Sequence, residues 1–164
     1  MKALLTRLNL TEGERGVLLA YVVVSVFGAG LALTVVSQLG GENTILRALG
    51  IYDMWVIIAG AMGSAMGLFI SQRWLGHPGI AGWRKAIIGI PVVSFICAIC
   101  GGTLALPFYG TMFGPFSVLV TFIGSPILGV FWTAILLSAH ALMLEWRQER
   151  DSIFIYINEK GVPA

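Results

Sequence analysis

Charge is what this sequence has least of. Asp, Glu, Lys and Arg together make up 11% of the 164 residues, less than half of the roughly one quarter usual in soluble domains, and a soluble fold could not cover its surface with so few. The charges also avoid four apolar runs, and no Asp, Glu, Lys or Arg lies in the interior of any of them. That absence counts against a proton relay, a voltage sensor or an ion-coupled pump, each of which depends on charge at membrane depth. Cysteine is nearly missing, and the 2 present cannot build a disulfide framework. No phosphate-cradling glycine motif, zinc-ligand spacing or serine-nucleophile pattern occurs, so an enzyme is unsupported and neither metal nor cofactor is expected.

Apolar residues, by contrast, make up 57% of the chain. They gather into spans expected at about 16–39, 54–70, 86–106 and 127–143, each close to the ~20 residues that cross a bilayer as a helix. The first is too long and too uninterrupted for a cleaved secretory leader. The cations around these runs alternate in abundance. Lys2, Arg7 and Arg15 precede the first, Arg47 alone follows it, and Arg73, Arg84 and Lys85 separate the second from the third. None lies between the third and fourth, and Arg147, Arg150 and Lys160 come after the last. Translocated loops are depleted of Lys and Arg, so this pattern describes an all-α, four-transmembrane-helix bundle with N and C termini cytoplasmic. The net charge of +2 belongs to those helix ends and speaks for lipid headgroups, with no nucleic acid expected. Strong cation asymmetry and short loops suggest a bacterial inner membrane.

Three parts follow from this reading. Residues 1–15 form a cytoplasmic amphipathic segment, 16–146 the membrane domain, and 147–164 a cytoplasmic tail. Thr11 and Glu14 have capping-box spacing and predict a helix start there. Pro91 predicts a bend in the third span. The stretch 107–125 is apolar, uncharged and broken by glycine and proline, so it is expected to re-enter the membrane or lie in the interface. Only about Ser117 to Ile123 is expected to be regular there; a long helix kinked at Pro126 is the competing description. In the tail, Arg147 and Asp151 have the i,i+4 spacing of a helical ion pair.

Five features are candidates for function. Ala59, Gly63 and Gly67, with Gly60 and Ser64 beside them, leave one helix face almost bare, which lets a second backbone approach closely. The partner is either another helix of this chain or a second subunit. Cys97 and Cys100 form a CxxC, and in this the chain is similar to four-span membrane proteins that pass electrons from thiols to quinone. Those proteins need a further cysteine pair that this chain lacks. His140 is the one ionisable side chain within a span, while His77 lies in the loop between Trp74 and Trp83. Together they would be needed for a bis-histidine haem; otherwise each is a packed or solvated histidine. Glu42, Arg47 and Asp53 cluster on the translocated side, where Asp53 would favour the positive end of a helix dipole. Finally, Ile153, Phe154, Ile155, Tyr156 and Ile157 form an apolar run in a polar tail, which would lie on the membrane or meet a cytoplasmic partner. The leading expectation is a non-catalytic accessory, assembly or stabilising subunit, as a homo-oligomer or in a larger membrane complex. A small dimeric transporter or channel-like protein is the alternative, and a thiol–quinone oxidoreductase the second alternative.

Overall fold

The computed structural model describes residues 11–39 and 50–159, with side chains for 11–38 and 50–152. Apart from short connections these residues are helical: α1 (Glu12–Leu39), α2 (Ile51–Ile70), a 3₁₀ turn (Gln72–Trp74), α3 (Gly79–Ala105), α4 (Gly110–Gly124) and α5 (Pro126–Glu159). Helices α1, α2, α3 and α5 are long and apolar enough to cross a membrane, as in an integral multi-pass membrane protein. Their outward surfaces fit that environment, with large apolar side chains such as Val26, Ile87, Phe95 and Phe131 exposed.

Helix α1 starts as its sequence predicts. The Thr11 N–H donates to Glu14 Oε2 at 3.0 Å and the Glu14 N–H to Thr11 Oγ1 at 3.3 Å, a reciprocal capping box. Asp53 does similar work for α2, accepting the Gly50 N–H at 2.9 Å.

Elsewhere the helices outrun the apolar windows. Helix α3 begins at Gly79, not near 86, and α5 continues to Glu159 instead of ending near 143. Arg84, Lys85, Glu145 and Arg147 end the stretch that lipid can cover, but nothing in their backbones ends a helix. The segment 107–125 also departs from expectation, because α4 is regular over Gly110–Gly124 despite Pro115. Its close packing on α3 outweighs the poor local propensity. Nor do α4 and α5 form one kinked helix: the chain breaks at Ser125, and Pro126 takes the first position of α5, where its missing N–H costs nothing. Pro91 lies inside α3, which runs through it uninterrupted.

The four long helices are antiparallel to their sequence neighbours. Gly28 of α1 lies against Gly60 and Ser64 of α2, and Gly63 and Gly67 of α2 lie against Gly101 and Cys97 of α3. Helix α5 returns along α1, with Trp146 beside Gly13, Leu142 beside Gly16, and Trp132 stacked on Phe27 at a 5.8 Å centroid separation. This arrangement brings every described cation, Arg15, Arg73, Arg84, Lys85, Arg147 and Arg150, to one end of the bundle, called here the basic end. Polar bonds close that end. Gln72 donates to the Tyr21 hydroxyl at 2.7 Å, Arg147 donates to the Gln72 carbonyl at 2.8 Å, and the Gly76 N–H donates to His140 Nδ1 at 2.9 Å.

Candidate functional site

Away from the basic end the bundle is not closed by its four long helices. Helices α3 and α5 meet through Trp83 on His140 and through Trp132 Nε1, which donates to Ser94 Oγ at 2.8 Å. Beyond Ser94 the short α4 enters between them. Its 15 residues reach ~22 Å, short of the ~30 Å hydrocarbon core, so it is not a fifth span. Gly110 and Gly114 press against Ala98 and Gly102 of α3, where an added Cβ at Gly114 would stand 3.0 Å from the Gly102 Cα. At its other end, the buried Thr121 hydroxyl donates to Gln38 Oε1 of α1 at 3.1 Å. Helix α4 is therefore a strap from α3 to α1.

Beneath this strap lies a half-open cavity of about 880 Å³. Its walls are Leu31, Val35 and Val36 of α1, Val56 and Gly60 of α2, Ala98 and Gly101 of α3, and Phe113 and Val118 of α4. Tyr52, Asp53 and Tyr109 line it at the end opposite the cations. Its lining stops at Ser64, Ser94, Cys97 and Trp132, so the cavity does not reach the basic end. Its few polar groups are largely engaged. Ser94 Oγ donates to the Ile90 carbonyl at 2.7 Å while accepting from Trp132, and Cys97 Sγ lies 3.6 Å from the Ser64 carbonyl.

The residues singled out by sequence divide between this cavity and the helix seams. Ala59, Gly63 and Gly67 are buried, and Gly63 and Gly67 pack on α3. Gly60 and Ser64 pack on Gly28 of α1. Both sides of the bare face thus meet helices of the same chain, and Gly60 and Ser64 also border the cavity. Cys97 and Cys100 are free thiols, Cys97 buried and Cys100 half-buried. His140 is fully buried, its Nδ1 taken by Gly76 and its ring edge-on to Trp83 at 4.8 Å. His77 instead sits with its Nε2 2.8 Å from the Arg73 carbonyl and 2.9 Å from Lys85 Nζ. Among the described residues no three His, Cys, Asp or Glu side chains come together to hold a metal. Arg147 is bonded to the Gln72 carbonyl across the bundle. Glu42, Arg47 and the Ile153–Ile157 side chains lie outside the described residues, although the backbone of 153–157 is helical, a continuation of α5.

The sequence marks 107–125 as a re-entrant or interfacial segment, but not its regular helix over Gly110–Gly124 nor the cavity beneath it. A signal for the strap exists: Gly110 and Gly114 have the four-residue spacing of a close-packing face, beside Gly101–Gly102 on the preceding helix. The chain matches no family model, no curated protein and no solved structure.

Proposed function

We propose that this chain sits in a bacterial inner membrane with four spans and both ends cytoplasmic, and that it works by association, as an accessory, assembly or stabilising subunit of a membrane complex. The clustering of described cations at one end supports the orientation, since that end is where the positive-inside rule puts the cytoplasm.

One observation carries the association reading: α5 does not stop where the lipid does. Its 34 residues extend ~51 Å, while the hydrocarbon core takes up only ~30 Å. The remainder is a helical stalk on the basic side that carries the Ile153–Ile157 run. It is tethered at its base, where Glu149 accepts from Thr11 and Gly13. A tethered stalk with apolar residues near its tip suits a partner on the cytoplasmic side. The alternative of a transporter or channel has less support, because the cavity is blind.

Mild-detergent extraction followed by native sizing tests this. The full chain is expected in a particle larger than its own micelle, and a chain ended after Ser152 is expected to insert normally yet leave that particle. A full chain that migrates as a lone monomer with nothing bound overturns the proposal.

A further inference from the structure

We propose that the cavity beneath α4 binds one acyl chain of a membrane phospholipid, its tail running down to Trp132 and its polar end lying between Tyr52 and Tyr109. The inference rests on the chain residing in a membrane, and it does not depend on any partner.

Size narrows the occupant first. A volume of about 880 Å³ is near the top of the ~300–1,000 Å³ range of small-molecule pockets. A helix ~10 Å across that rises 1.5 Å per residue fills ~120 Å³ for each residue, so the space admits about two turns. No partner span fits inside it. Depth narrows the occupant further. On α2 the lining extends from Tyr52 to Ser64, twelve residues or ~18 Å, close to half of the ~30 Å core. The cavity therefore has the length of a single leaflet and ends near mid-membrane.

Its chemistry is graded as an amphiphile requires. The walls along that depth are apolar, Val35, Val56 and Val118 among them. The floor presents an indole whose donor is already satisfied by Ser94. Tyr52 and Tyr109 are exposed at the outer end and offer phenolic hydroxyls at headgroup level, where tyrosine is favoured. A water-soluble ligand would match neither the walls nor the apolar helix surfaces around the opening.

Quenching by brominated lipid tests the assignment. Two single-tryptophan proteins retain either Trp132 or Trp55, the other four tryptophans being replaced by Phe. Each is reconstituted in vesicles of dioleoylphosphatidylcholine or of the same lipid brominated at mid-chain. Trp132 is 3% exposed and Trp55, on the outer face of α2, 44%, so surrounding lipid alone should reach only Trp55. The expected result is that brominated lipid removes more than half of the Trp132 emission, and that filling the cavity with Val56→Phe and Val118→Phe restores most of it. Trp55 should be quenched in both backgrounds. Unquenched Trp132 beside quenched Trp55 overturns the proposal, as does quenching that the filled variant leaves unchanged. If Trp55 too is unquenched, the membrane reading itself has failed. Should the filled variant lose its helicity, native mass spectrometry of the wild-type chain after a delipidating wash decides: a single retained phospholipid supports the site and none refutes it.

Discussion

Glu149 caps the start of α1 from 136 residues away: its Oε2 accepts the Gly13 N–H at 2.8 Å, and also the Thr11 hydroxyl at 3.0 Å. The first N–H groups of α1 have no intrahelical acceptor, and a carboxylate there also meets the positive end of the helix dipole. The bond ties the base of the α5 stalk to the start of α1 and holds that pair of helices in register.

Loss of this cap should be measurable. Glu149→Ala is expected to lower stability by about 0.5–2 kcal/mol, the usual range for a lost side-chain cap, in thermal unfolding followed by circular dichroism in detergent. Glu149→Gln should recover part of the loss, because an amide oxygen still accepts but carries no charge.

The glycines of the α2–α3 seam should not be equivalent. At Gly67 an added Cβ would stand 2.5 Å from the Cys97 Cα, whereas at Gly101 the nearest atom, the Ala59 carbonyl oxygen, is 3.5 Å away. Gly67→Ala should therefore cost about 1–3 kcal/mol, as overpacking does. Gly101→Ala should be neutral or slightly stabilising in the same assay. Equal effects at the two positions would mean that α2 and α3 do not pack in this register.

At His140, substitution by Leu leaves the Gly76 N–H buried without its acceptor. A stranded donor of this kind costs about 1–3 kcal/mol, and the loop joining α2 to α3 should show faster hydrogen exchange at Gly76 than in the parent. A haem or metal site at His140 would instead reveal itself by an absorbance or a bound metal that the substitution removes.

The α3–α4 turn holds Phe108 at φ 71°, in the left-handed region. A bulky side chain there costs ~1–2 kcal/mol, and Asn tolerates the conformation better. Phe108→Asn is expected to raise the unfolding midpoint and Phe108→Ile to lower it. The opposite order would show that the Phe108 side chain contributes more by contact than its backbone loses by strain.

What the linear chain determined is a set of properties that each residue carries alone or with its close neighbours. The apolar runs place four membrane-length helices because transfer into lipid sums residue by residue, and Thr11 with Glu14 marks the start of α1 because that cap is local. The bare face of α2 was visible in the same way, although not what it touches. Three things belong to the tertiary structure alone. Gly60 and Ser64 face α1 while Gly63 and Gly67 face α3, since a small-residue face permits close approach without naming the partner. Helix α4 is regular through Pro115 because Gly110 and Gly114 find α3, a gain that no local propensity contains. The cavity exists because α3 and α5 part above Ser94 and Trp132 and a helix too short to span fills the gap incompletely. Empty space is a relation among several helices, and no single stretch of sequence records it.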